Sequence, residues 1–529
     1  MPTPEPLRPS LHPYQAFPLY DLLLRTAARL PDKPAILDGD RSFSYRDLAA
    51  HSARFAAALA ALGVRIGDRV AILAPNCAEF EIAFYGILRA GAVATTLNSG
   101  YREREIAHQL FSSGASVLVV HHTLLPAARA VLPSLPALRH IIPIDDGPPS
   151  PGSFWDLIEH APAVAPAPSL SLDPRRDLAA LPYSSGTTGL NKGVMLTHYN
   201  LACNVRQFIE RPGDPGAPTE REVFLVHLPL FHIYALNVMM NVSIDLGATQ
   251  VLMGRFDPDL LLDLLSRHRV TSLYTAPPVI LALSQHPRLG HYDFSALRMI
   301  VSGAAPLSAD LQQRVSAALG VPIVQGYGLT ETSPVTHIDF IDAARARPGT
   351  VGPPLPDTEQ RVVDLDTGTR DLSPGEAGEL LMRGPHVTPG YFNDPAATAA
   401  TIDSDGWLHT GDIVSADAQG YLRILDRKKE LIKYKGFQVP PAELEGLLLE
   451  HPAVADCAVI GIPDPEAGEV PKAYVVLRPG AAVTADALIA FIAQRVATFK
   501  RIRAVEFTAA IPKNPSGKIL RRLLRPPPP

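Results

Sequence analysis

At 529 residues with 47% apolar side chains, the chain is too long for one ordinary hydrophobic core and predicts two or more folded units. A net charge of −5 excludes the basic surface expected of a nucleic-acid binder. No run of about 18 apolar residues is present, so no transmembrane helix is predicted, and the opening MPTPEPLRPSLHPYQAF lacks the apolar stretch of a signal peptide.

Cys77, Cys203 and Cys457 lie far apart with no CxxC spacing. They predict free thiols in a reducing, cytoplasmic setting rather than a disulfide framework or zinc site. In chain order, residues 20–30 read as a helix with an apolar face of Leu22, Leu23, Leu24 and Ala27. Residues 35–37 and 42–45 read as a short hairpin. Residues 45–62 form an alanine-rich amphipathic helix that Gly63 ends. Strands at 69–73, 93–96 and 116–120 alternate with helical stretches such as 79–90. That alternation predicts a parallel α/β architecture. Residues 147–174, rich in Pro, Ala and Ser, read as a surface excursion or a linker.

The densest chemistry lies in YSSGTTGLNKGVMLTH, residues 183–198. Ser184, Ser185, Thr187, Thr188 and Lys192 are set around Gly186, Gly189 and Gly193. Such glycines let the backbone turn tightly and approach a ligand. Hydroxyls and backbone N–H groups can cradle phosphate oxygens, and lysine adds a point charge. A Walker A loop would need glycine at Asn191 and Ser or Thr after Lys192, where Gly193 stands, so this is a different phosphate loop.

Further on, LPLFHIY (228–234) sets His232 and Tyr234 in a proline-marked segment; alone, this fits a packed core histidine as well as a site. A strand at 298–303 runs into Gly303, Ala304 and Ala305, small residues that would let a flat ring slide against the backbone but that also suit an ordinary strand-to-helix turn. QGYGLTE offers Gln325, Gly326, Tyr327, Gly328, the Thr330 hydroxyl and the Glu331 carboxylate. GWLHTGD places Asp412 at a strand–turn junction, and Arg427 lies in a charge run, residues 426–430, that alone reads as a solvated face. Beyond it, helices at 441–450 and 485–497 and strands at 454–461, 473–477 and 505–508 predict an α+β unit of about 100 residues. Near its end Lys518 sits on a Pro/Gly loop, a place where lysine is ordinarily exposed.

In identity, order and spacing these segments resemble the adenylate-forming superfamily of acyl-CoA synthetases, aryl-acid CoA ligases, luciferases and peptide-synthetase adenylation domains, from about residue 20 to 522. Residues 429–445, KELIKYKGFQVPPAELE, are especially similar to the 4-coumarate:CoA ligase branch. The resemblance implies an α/β fold: a large N-terminal domain of α/β sheets over 1–428, a mobile α+β C-terminal domain over 429–525 joined by a hinge at Lys429, and a proline tail at 526–529. It implies two half-reactions, in which ATP and a carboxylic acid give an acyl-adenylate and pyrophosphate, and coenzyme A then takes the acyl group and releases AMP. ATP and AMP would be held by Ser184 to Gly189 and Lys192, by Gly303, Ala304 and Ala305, by Gln325, Gly326, Tyr327, Gly328 and Thr330, and by Asp412 and Arg427 at the ribose. Glu331 would hold Mg²⁺. Tyr234, Val238, Gly303, Gly328, Pro334 and Val335 would line the acid pocket, with His232 facing the carboxylate. Lys518 would bridge the carboxylate and the α-phosphate, and Lys433 and Gln438 would serve the thiol step after domain rotation.

Several alternatives stay open at this point: a carrier-protein thiol as acceptor, a luciferase-type monooxygenase, and a non-enzymatic binding module. Val238 cannot donate a hydrogen bond to a phenol hydroxyl, which favours cinnamate-like or fatty acids over 4-hydroxy acids. A monomer and a homodimer both fit. The chain departs from the family pattern at Asn191, where proline is usual, and at Asn98-Ser99-Gly100, where Asn-Pro is usual.

Overall fold

Two largely parallel sheets carry most of the chain. The computed structural model describes residues 7–161, 171–184, 191–435, 437–514 and 517–525. The first sheet has eight strands, in the order Val335–Ile338, Ile323–Gly328, Met299–Ser302, Ser272–Thr275, Val223–Val226, Thr249–Leu252, Pro34–Asp38 and Arg41–Ser44. Its six central strands run parallel, and an antiparallel strand closes each edge. Ser272–Thr275 and Met299–Ser302 are buried at every position, as expected for strands covered on both faces. The expected hairpin is present, and its first strand also joins this sheet by pairing parallel to Thr249–Leu252.

The second sheet has six strands, with Arg69–Leu73 between Val93–Thr96 and Val117–His121. Its facing side chains, those of the first sheet, and the helices Tyr45–Ala61 and Ala78–Arg89 share one core. Ser44 caps Tyr45–Ala61 by accepting from the Asp47 amide, and Asp47 returns the bond to the Ser44 amide. The resulting arrangement is the layered α/β domain expected from the alternation of elements.

A third sheet, Glu359–Val363, Ala377–Arg383, Leu408–Ala416 and Leu422–Arg427, is wholly antiparallel. It was not expected from the sequence pattern. The smaller C-terminal domain is built on a fourth sheet, in which Ile432–Tyr434 pairs with Phe437–Val439 and the long strands Val454–Asp464 and Gly468–Leu477 pair with each other. Helices Pro441–Leu449 and Ala485–Ala493 cover it over a separate core that includes Leu444, Leu448, Val459, Leu488 and Ile492. The predicted helix at 485–497 stops at Ala493, and a 3₁₀ turn follows over Thr498–Lys500. All three cysteines are buried and free.

Candidate active site

A cavity of about 940 Å³ lies where the parallel strands Met299–Ser302 and Ile323–Gly328 end. Carboxyl ends of parallel strands are the usual location of ligand sites in α/β sheets. On one side stands a two-stranded ribbon in which Tyr183–Ser184 pairs antiparallel with Lys192–Gly193. Ser185, Gly186, Thr187, Thr188 and Gly189, which connect its legs, lie outside the described residues. The Ser184 hydroxyl donates to Glu331 Oε1 at 3.0 Å, and the Tyr391 hydroxyl donates to the same oxygen at 2.9 Å. Lys192 Nζ lies 3.2 Å from Asp394 Oδ2 and 5.4 Å from the centre of the Tyr391 ring.

Glycine geometry shapes the opposite wall. A Cβ on Gly303 would come within 3.0 Å of the Tyr234 ring, and one on Gly328 within 1.9 Å of the Pro334 carbonyl oxygen. At Gly328 only glycine permits the approach, and at Gly303 any side chain would have to displace the Tyr234 ring. Ala304 holds φ at +68°, a conformation rare for a residue with a side chain, and it lines the cavity. The Tyr327 hydroxyl donates to Asp412 Oδ2 at 2.5 Å, and Arg427 Nε sits 2.9 Å from Asp412 Oδ1. This three-residue bracket fixes the Tyr327 ring at the cavity wall. Burial, then the Asp412 charge, pushes the Tyr327 phenol well above its ordinary value, so it stays a donor.

His232 and Lys518 meet in this cavity from different domains. Burial lowers the His232 pKa to about 4, with Lys518 adding to the effect, so the imidazole is neutral near pH 7. Its Nδ1 accepts the Tyr234 amide at 3.3 Å, which assigns the proton to Nε2. Burial, then the Arg427 charge, brings the Lys518 pKa down to about 8. The Lys518 loop is braced locally: the Lys518 amide donates to Asn514 Oδ1 at 2.8 Å, and Gly517 at φ +82° presses so close to Pro278 that a Cβ would lie 2.8 Å from its ring. Arg521 anchors the base of the loop, donating to both Glu445 oxygens at 2.7 Å and pairing with Glu430.

Thus the cavity gathers Ser184, Lys192, His232, Tyr234, Gly303, Ala304, Gly326, Tyr327, Gly328, Thr330, Glu331, Pro334, Val335, Arg427, Lys429 and Lys518. Other expected residues stand back from it. Asp412 is behind Tyr327 and Arg427. Ala305 follows the turn without lining the cavity. The Gln325 amide is turned into the fold, accepting from the Leu307 amide and donating to Gln312 Oε1, both at 3.0 Å, so it holds the Gly303–Leu307 turn instead of meeting a ligand. Val238, one turn beyond Tyr234 in the π-helix Tyr234–Asn241, is 1% exposed and packed in the main core. Lys433 is exposed on strand Ile432–Tyr434, outside the cavity, its amide donating to Glu469 Oε2 at 2.9 Å; in the backbone register of the hairpin it pairs with Gln438.

Sequence reasoning missed several groups. Tyr391 and Asp394 engage Glu331 and Lys192, and Glu379 bonds Lys428 at 2.9 Å beside the Arg427 strand end. Phe208, Tyr274, Val301 and Ile338 line an apolar end of the cavity. The Tyr274 hydroxyl is buried, and the charges it feels are those of Arg211, Glu222 and Arg298, none of which lines the cavity. The described residues hold no cluster of three or more potential metal ligands, and no helix long and apolar enough to cross a membrane.

The AMP-binding enzyme family model matches residues 23–392, and that for the AMP-binding enzyme C-terminal domain matches residues 443–518. The 4-coumarate–CoA ligase 3 of Oryza sativa subsp. japonica is 41% identical, covering 94% of this chain and 90% of its own. The 4-coumarate–CoA ligase of Pinus taeda is 40% identical, covering 96% of this chain and 94% of its own. Among solved structures, the anthranilate CoA ligase AuaEII in complex with anthranoyl-AMP superposes with a TM-score of 0.88 at 30% identity, covering 96% of each chain. The chain therefore belongs to the AMP-binding enzyme family, among its AMP-forming acid–CoA ligases.

Proposed function

We propose that this enzyme activates an arylpropenoic acid of the coumarate type with ATP and transfers the acyl group to coenzyme A. The reaction class is ATP-dependent acid:CoA ligation. The convergence of Lys518, His232, Glu331 and Arg427 on one cavity carries the reading of the first half-reaction. A carboxylate is a poor electrophile, and its attack on the α-phosphate builds negative charge that fixed cations and donors must meet. Lys518 supplies the ammonium between carboxylate and α-phosphate, and Arg427, oriented by Asp412, holds the ribose. Neutral His232 offers its Nε2–H to the acid without adding a second competing cation. Lys192 and Ser184, at the ends of the phosphate-loop ribbon, address the outer phosphates.

Glu331 fits a magnesium site: one carboxylate with Oε1 oriented by two hydroxyls, in a cavity open to the nucleotide's own oxygens. Magnesium bound there would neutralise phosphate charge as a Lewis acid. Lys433 and Gln438, paired on the exposed hairpin, serve the thiol step in this reading once the C-terminal domain, residues 429–525, turns about Lys429 relative to residues 1–428. A cytoplasmic setting suits three buried free thiols.

For the acid, the aromatic and aliphatic lining of Phe208, Tyr274, Val301 and Ile338 suits a flat ring. Val238 lies in the core, so its inability to donate does not argue against a 4-hydroxyl group. The test is an endpoint assay by mass spectrometry with ATP, Mg²⁺, coenzyme A and a panel of 4-coumaric, cinnamic, benzoic and fatty acids. Coumaroyl-CoA with AMP as the preferred products is expected. Acyl-adenylate without thioester, or preference for a fatty acid, overturns the reading.

A further inference from the structure

The phosphate-loop ribbon is tied to one helix, Glu103–Ser113, and to the residue that leads into it. On one leg, the Tyr183 hydroxyl bonds Ser112 Oγ at 2.7 Å, and the His108 ring meets the Tyr183 ring edge-on with centroids 6.4 Å apart. On the other, the Asn191 carbonyl oxygen lies 3.1 Å from His108 Nε2, and the Asn191 side-chain amide donates to the Tyr101 hydroxyl. Both Tyr101 and Asn191 line the cavity. Asn191 and the turn Asn98-Ser99-Gly100 are joined through Tyr101: a bond from the Gly100 amide to Asn98 Oδ1 at 2.8 Å shapes the turn just before Tyr101, whose hydroxyl accepts the Asn191 side-chain amide. A proline in place of Asn191 would stiffen the strand's entry by fixing φ. Asparagine gives up that restraint but offers a donor.

We infer that the Asn191–Tyr101 bond, with His108 as its backbone partner, is a tether that positions Lys192 for the outer phosphates of ATP. These are positioning residues: they act on the nucleotide through the ribbon. The ribbon strand Lys192–Gly193 begins directly after Asn191, so a shift of Asn191 is passed to Lys192 without an intervening joint. The inference rests on the nucleotide-binding reading above, and affinity measured directly does not depend on which acid the enzyme uses.

Calorimetric titration of the full-length protein with ATP and with AMP, using wild type, Tyr101→Phe, Asn191→Ala and the double variant, tests it. Removing one hydrogen bond is expected to weaken ATP about fivefold. AMP, which lacks the outer phosphates, should change by less than about twofold, a split that a general loss of structure would not give. The double variant should be no worse than the more affected single one, because both break the same bond. Equal weakening of ATP and AMP, additive losses, or no change in ATP affinity in Tyr101→Phe overturns the tether. A wild-type protein that binds neither nucleotide overturns both the tether and the reading beneath it.

Discussion

Two lysines of the C-terminal domain stand in opposite environments. Lys518 lies in the cavity with His232 and Arg427 near it, and its loop presses on Pro278 of the large domain. Lys433 projects from an exposed hairpin outside the cavity. One small domain therefore carries one lysine presented to the large domain and another held in reserve on a different surface. In the proposed reaction this separation matches the two half-reactions, since a single rigid arrangement seats only one of the two lysines at the cavity.

The largest expected effect breaks the first side of that contrast. Lys518→Ala should slow acyl-adenylate formation by about 10²- to 10³-fold, the scale of losing one preorganised charge at a developing anion, while ATP binding persists. Pyrophosphate release in a single turnover measures it; near wild-type release would remove Lys518 from the mechanism. A smaller effect sharpens the same side through pH. The ammonium with its pKa at about 8 is charged below that pH and loses its proton above it, so kcat/KM of the first step should fall about tenfold per pH unit above that pKa. In Lys518→Arg the residual activity should lack this alkaline limb, because guanidinium stays charged. An unchanged limb in the arginine variant would assign the ionisation elsewhere.

Lys433→Ala addresses the other side. Thioester formation from preformed acyl-adenylate should drop about tenfold while pyrophosphate release stays within about twofold. Loss of both in parallel would erase the contrast.

The fold class and much of the site were legible because they are written in short, contiguous segments. Glycines at 303 and 328, the hydroxyls flanking the ribbon, and the carboxylate of Glu331 are demanded by local geometry or chemistry, so each leaves a local pattern. Tyr391, Asp394 and Glu379 left none, because their roles come from contacts across long stretches of chain: the Tyr391–Glu331 and Asp394–Lys192 partnerships exist only once the sheets are stacked. The antiparallel sheet from Glu359 to Arg427 was missed for a related reason. Its strands mix charged and apolar residues, as in EQRVV and LRILDR, so strand pairing rather than periodicity defines them. Gln325 shows a second role that the sequence hid. It stands within a binding motif, but its buried amide is consumed in holding the turn that carries Gly303 and Ala304.

The nearness of Arg427 to Lys518 has a thermodynamic consequence. Two like charges repel across the cavity, and the Arg427 charge helps to lower the Lys518 pKa. Asp412, paired with Arg427, and Glu430 act in the opposite sense, so the repulsion is offset in part. An anion bound between the two cations removes the remaining repulsion, and by reciprocity the seated loop strengthens the anion's binding by the same free energy. In the proposed reaction, nucleotide occupancy and loop docking would then be linked, and loss of the anion's charge from the cavity would loosen the loop.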